Sequence, residues 1–151
     1  MRLAIVAVGR QKAGALKELE QLYAGRILSP LTLIEVEEKR KLAPAEMKTR
    51  EAALLLNAVP KGAAIVALDR RGTVLSSEAF AQRLGVWRDS GTDPAFLIGG
   101  AEGLAESVLE KAQLVLSFGA MTWPHLLARA MLLEQIYRAQ QILAGHPYHR
   151  G

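Results

Sequence analysis

Three histidines, two glycine-bearing strand ends and a short aromatic-basic tail hold most of the chemistry this chain can do. Phe96-Leu-Ile-Gly-Gly-Ala-Glu-Gly103 and Leu116-Ser-Phe-Gly-Ala-Met-Thr-Trp-Pro-His125 each run a buried strand into glycine and then toward a helix. Glycine at a strand end lets a ligand approach backbone closely, and α/β proteins build cofactor pockets this way. Gly99, Gly100 and Gly119 are therefore candidate pocket residues. His125 falls in the first turn of the helix that follows, with Thr122 a candidate cap and Pro124 suited to that turn. The positive end of a helix disfavours imidazolium, so a neutral ring is expected, able to accept a proton or orient one. A structural or simply exposed histidine is the rival reading.

All three histidines lie at or beyond position 125, and the chain ends Gly145-His-Pro-Tyr-His-Arg-Gly151. His146 and His149 flank Pro147, which breaks any regular ligand spacing, and with no cysteine in the chain no metal site is expected. A tail that closes over a site or touches phosphate fits Tyr148, His149 and Arg150 better.

These groups need a scaffold, and the chain alternates strand and helix to make one. Strands are expected at Leu3–Val8, Leu31–Val36, Ala63–Leu68, Ala95–Ile98 and Leu114–Phe118. Helices are expected at 13–28, 44–58, 77–85, briefly after Gly103, and from 124 to 143. Ser76 or Ser77 can cap the third, with Phe80, Ala81 and Leu84 on its buried face. The pattern implies one domain over 1–151, of α/β class, with a mostly parallel sheet and helices on both faces. The last helix carries apolar residues on more than one face. A second copy of the chain is the simplest cover for the surplus face.

Composition narrows the function. Aromatic residues make up 5% of the chain, too few for serial base stacking. A formal net charge of +4 is mild and does not by itself imply nucleic acid. No apolar run reaches membrane length and no signal peptide is evident, so the cytoplasm is the expected location. Neither a dinucleotide fingerprint nor a phosphate-binding loop is present, and no carboxylate pair or nucleophile elbow suggests hydrolysis.

Taken together, several segments resemble one family: the SPOUT-class methyltransferases that modify a pseudouridine of large-subunit ribosomal RNA, the RlmH or YbeA family. The matching pieces are Leu3–Gly9, Leu68-Asp69 with Gly72, Ser76–Ala81, Phe96–Gly103, Leu116-Ser117 with Met121-Thr122 and His125, Leu127-Ala-Arg129, Glu134–Ala139 and Pro147–Arg150. The resemblance spans essentially the whole chain. It implies an α/β knot, with the C-terminal segment threaded as a trefoil, and S-adenosylmethionine as cofactor. It places Leu68, Gly99, Gly100 and the stretch Gly119, Ala120, Met121, Thr122, Trp123 and Pro124 at that cofactor. It implies a homodimer in which the tail of one subunit completes the pocket of the other. The reaction would be methylation of ring nitrogen 3 of a pseudouridine in the decoding-region stem-loop of 23S ribosomal RNA, on assembled ribosomes.

On that reading His125 and Tyr148 handle or orient the proton. Arg150, His149 and Arg129 hold phosphate or developing negative charge, with Arg129 alternatively a helix residue paired to a carboxylate. The departures from the family pattern are Gly119 in place of a serine and a shortened region near 37–46. The alternatives are a knotted methyltransferase acting on another RNA nucleotide, and a non-enzymatic ribosome-binding or assembly protein.

Overall fold

The computed structural model describes residues 1–150. Ten elements alternate: β1 (Leu3–Val8), α1 (Ala15–Ala24), β2 (Leu31–Val36), α2 (Pro44–Ala58), β3 (Ala64–Val74), α3 (Ser77–Asp89), β4 (Pro94–Ile98), α4 (Glu106–Lys111), β5 (Leu114–Ser117) and α5 (His125–Leu143). The strands form one sheet in the order β2-β1-β4-β3-β5, and every neighbouring pair is parallel. Central strands covered on both faces have no solvent side to mark, which is why β1 and β4 are buried at every position.

Their side chains alternate between two cores. Leu3, Ile5, Phe96 and Ile98 face one side, where they meet Phe80, Leu84 and Trp87 of α3 and Leu132, Leu133 and Ile136 of α5. Ala4, Val6, Ala95 and Leu97 face the other, against Ala52 and Leu55 of α2, Leu104 of the loop after β4 and Val108 of α4. Ser76 caps α3, its hydroxyl accepting from the Ala79 amide at 3.0 Å. No helix among the described residues is long and apolar enough to cross a membrane.

The structure differs from the sequence reading at three places. First, β3 does not stop at Leu68 but runs on to Val74, because its pairing with β5 resumes after a register shift between Leu68 and Thr73. Residues 69–72 form the irregularity, as a bulge does where a strand is re-aimed near a site. Gly72 makes this possible. A Cβ there would lie 2.6 Å from the carbonyl carbon and 2.7 Å from Cγ1 of Val115. Gly72→Ala is therefore expected to destabilise the fold by about 1–3 kcal/mol through overpacking against a neighbouring backbone. Thermal unfolding checks this, and an unchanged midpoint would refute it.

Second, the start of α5 is not capped by Thr122. Pro124 occupies the cap position with no side-chain hydrogen bond, and His125 is the first helical residue. Third, much of the surplus apolar surface of α5 is covered within the chain, where α1 and α3 flank it. Leu127 and Met131, with Leu19 and Tyr23 of α1, are among the residues that line a remaining groove.

Candidate active site

In a parallel sheet all strands end on one edge, and the loops leaving that edge meet there. Here the bulged segment within β3 and the loops after β4 and β5 enclose one cleft of about 780 Å³, within the range that holds small-molecule ligands. Leu68 through Arg71 form one wall, Ile98 through Leu104 the second, and Phe118 with Gly119 and Met121 through His125 the third. Lys48 of α2 and Ala128 of α5 complete it.

Glycines shape two of the walls. Gly119 has φ of 109° and open space where a side chain would point, so a ligand can lie against its backbone. Gly100 is tight in the opposite sense: a Cβ there would lie 2.9 Å from Cγ1 of Val8 and 3.1 Å from Oε2 of Glu51. The first wall is fastened to the second by Arg71. Its guanidinium donates to both carboxylate oxygens of Asp69 (2.9 and 3.0 Å) and to Oε1 of Glu106 (2.8 Å). Hydrogen bonds from Arg71 hold the Asp69 carboxyl below its usual range.

Of the residues singled out from sequence, Leu68, Gly99, Gly100, Gly119, Met121, Thr122, Trp123, Pro124 and His125 all line this cleft. Ala120 sits in the same loop without lining it. Met121 and Trp123 are well exposed at the rim, and the Trp123 indole N–H reaches the Phe118 carbonyl at 3.4 Å.

His125 is half-buried at the start of α5. Its pKa is lowered, first by burial and then by the charge of Arg129. The neutral ring expected from the helix end thus has a different main cause. Gly9, with φ of 96°, lets the imidazole close in. A Cβ at Gly9 would lie 3.5 Å from Nε2 of His125.

Arg129 corrects the sequence reading. It was expected at RNA or at developing charge, but it is fully buried. Its Nη1 donates to Oε2 of Glu35 at 2.6 Å and lies 3.8 Å from Oε1 of Glu20. Its Nη2 donates to the carbonyls of Val8 (3.1 Å) and Gly9 (2.7 Å). A guanidinium enclosed in this way presents no donor to a phosphate. Pairing with a carboxylate, the alternative left open above, is the arrangement present. Burial raises the Glu35 carboxyl, but hydrogen bonds from Arg129 and the Gln11 amide outweigh it and leave the pKa lowered. Glu20, farther from Arg129, is dominated by burial and is raised.

The tail does not reach the cleft of its own chain. The Tyr148 hydroxyl donates to Oε1 of Glu134 at 3.1 Å, and its ring packs edge-on to Tyr137 at 4.7 Å. His149 lies between Oε1 of Glu78 (2.7 Å) and Nη1 of Arg138 (3.1 Å). Arg150 is exposed. Glu134 and Tyr137 lie more than two turns along α5 from His125, so Tyr148 and His125 of one chain do not share a site. Burial first, and then the hydrogen bond to Glu134, pushes the Tyr148 phenol above its ordinary pKa.

Sequence reasoning missed Lys48 and Glu51, both on α2. Glu51 is buried, and its Oε1 has no hydrogen-bond partner. Neither carried a signal, because a lysine and a glutamate in an amphipathic helix read as its solvated side.

Comparison with known proteins extends this picture. Residues 1–149 match a family model described as "Predicted SPOUT methyltransferase". Ribosomal RNA large subunit methyltransferase H of Rhodospirillum centenum is 62% identical over 152 residues, covering 100% of both chains. The same-named protein of Paramagnetospirillum magneticum is 57% identical over 151 residues, covering 99% of each. Among solved structures, a probable methylase family protein from Haemophilus influenzae is similar with a TM-score of 0.60 at 13% identity. That match covers 99% of this chain and 70% of the other. The SpoU methyltransferase AviRb from Streptomyces viridochromogenes, in complex with AdoMet, gives 0.51 at 15% identity, covering 93% and 58%. At such identities these two speak for the fold alone.

Proposed function

Because the chain belongs to the SPOUT methyltransferases, and within them to the ribosomal RNA large subunit methyltransferase H family, we infer that it methylates ring nitrogen 3 of a pseudouridine in 23S ribosomal RNA. The cofactor is S-adenosylmethionine. The observation that carries this reading is the convergence of the β3 bulge and the loops after β4 and β5 on one cleft with a neutral imidazole at its edge.

The cleft fits the cofactor on its own terms. Gly119 leaves open space over its backbone, and Leu68, Ile98 and Leu116 offer apolar surface to an adenine ring. The backbone of 98–104 and 118–124 would hold the nucleoside. S-adenosylmethionine supplies a methyl group on a sulfonium, an electrophile for a nitrogen lone pair.

The chain's own residues do the rest. Ring nitrogen 3 of a pseudouridine carries a weakly acidic proton that must leave before its lone pair is available. His125, unprotonated at neutral pH, takes that proton. A phenol with a raised pKa stays protonated, so Tyr148 orients the uracil by exchanging its hydrogen bond to Glu134 for one donated to the base. Arg150 and His149 neutralise phosphate or the charge growing on the uracil.

Since the tail is tied to α5 away from its own cleft, it serves the cleft of a second copy. Support for this homodimer comes from the groove of Leu19, Tyr23, Leu127 and Met131, beside exposed Leu22 and Val74. The trefoil knot belongs to the same reading. It is supported by the sheet order, with β3 lying between β4 and β5, and by α5 packing back among α1 and α3.

The test is methyl transfer from labelled S-adenosylmethionine to ribosomes lacking the modification, beside matched ribosomes lacking the pseudouridine. Label on the pseudouridylated sample alone is the expected result. Label on both would move the target to another nucleotide. Saturable ribosome binding without any transfer would favour an assembly protein.

A further inference from the structure

Glu51 is only 8% exposed, forms no ion pair among the described residues, and leaves Oε1 without a hydrogen bond. Burying a carboxyl in this way costs free energy, and a glutamine of the same shape would avoid most of that cost. Its position suggests why it is there. Both oxygens point at the Cα of Gly100, and a Cβ built on that glycine would sit 3.1 and 3.2 Å from them. Gly100 in turn lines the cofactor cleft. The carboxyl thus packs against a residue of the cleft wall without itself lining the cleft.

We propose that Glu51 is the buried counter-charge of the cleft, making it prefer the cationic sulfonium cofactor to the neutral thioether left after methyl transfer. The proposal rests on the S-adenosylmethionine reading above. The two nucleosides differ by one methyl group and one positive charge, so shape alone discriminates weakly between them. A negative charge in a desolvated position discriminates through Coulomb's law. The charged groups around the cleft cannot substitute for it. Asp69 is neutralised by Arg71, while Lys48, Arg70 and Glu102 stand at the solvated rim, where water and salt screen them. Burial, and then the nearby charge of Glu102, raises the Glu51 carboxyl, so its ionised form is disfavoured until a cation arrives to stabilise it. Gly100 is needed for the same reason, since any side chain there would displace the carboxyl.

Titration calorimetry on the full chain tests this with S-adenosylmethionine and S-adenosylhomocysteine as ligands. In Glu51→Gln, affinity for S-adenosylmethionine is expected to fall about tenfold, with S-adenosylhomocysteine within about twofold of the unmodified protein. Glu46→Gln, exposed on the same helix and outside the cleft, is expected to shift the ratio less than about twofold. Equal weakening of both ligands by Glu51→Gln would make the residue a support for the Gly99–Gly103 turn and overturn the proposal. An unchanged ratio, or an equal effect from Glu46→Gln, would overturn it too. If the unmodified chain binds neither nucleoside, the cofactor reading itself fails.

Discussion

Replacing Arg129 with methionine is expected to destabilise the fold by about 3–5 kcal/mol, as breaking one side of a buried ion pair does. Methionine matches the aliphatic stem, so the loss comes from charge and hydrogen bonding rather than volume. The Glu35 carboxylate loses its 2.6 Å partner, and the carbonyls of Val8 and Gly9 lose their donor. Those carbonyls end β1, and Gly9 abuts the imidazole of His125. The same substitution should therefore loosen the candidate active site before it unfolds the chain. Urea unfolding measures the stability, and a loss below about 1 kcal/mol would show that the network is idle.

The pair has a pH signature as well. The Glu35 carboxyl is lowered in the folded state, so its contribution is present above the unfolded carboxylate value and is lost as pH falls through the folded one. In Arg129→Met that acid-dependent component should shrink. A double-mutant cycle with Glu35→Gln should show strong coupling, because each substitution removes the same contact.

Arg129 also marks where reading the sequence stops. The alternation of strands and helices was legible because buried strands and amphipathic helices carry their periods locally. Two of the three cleft walls could be placed for that reason: Ile98-Gly99-Gly100 and Phe118-Gly119 announce a strand end by composition. An arginine one turn after His125 announces nothing. Its main partner lies 94 residues away on β2, and a guanidinium in a helix reads as surface until that pairing is known. Glu51 was hidden for the same reason, since what matters is the glycine that α2 brings it against. The third strand reads as ending at Leu68, yet it continues past Arg70-Arg71 as a bulged strand, because pairing with β5 is a tertiary choice. The tail was legible as chemistry but not as geometry. Its composition pointed to a site, and only the contacts of Tyr148 with Glu134 and Tyr137 show that it packs away from the cleft of its own chain.

That separation leads to the second large effect. On the proposed assignment, His125→Ala removes the base and should lower kcat by about 10²–10⁴-fold. Truncation after His146 removes Tyr148, His149 and Arg150 and should be as damaging. Each variant retains the other's missing part. In a two-fold dimer with composite sites, mixing the two unfolded and refolding them together makes half the dimers mixed. Each mixed dimer has one site with both His125 and a tail intact. Activity should return to about a quarter of the unmodified level. If base and tail served the same subunit's cleft, no mixed dimer would contain an intact site and nothing would return. The pH profile separates the base from a structural histidine. Burial and Arg129 lower the His125 pKa, so the ring stays unprotonated through neutral pH. The rate should hold steady there and fall only as the pH drops below the ordinary histidine value. Residual activity in His125→Ala should lack that acid limb. A variant that keeps the limb would assign the proton to another group.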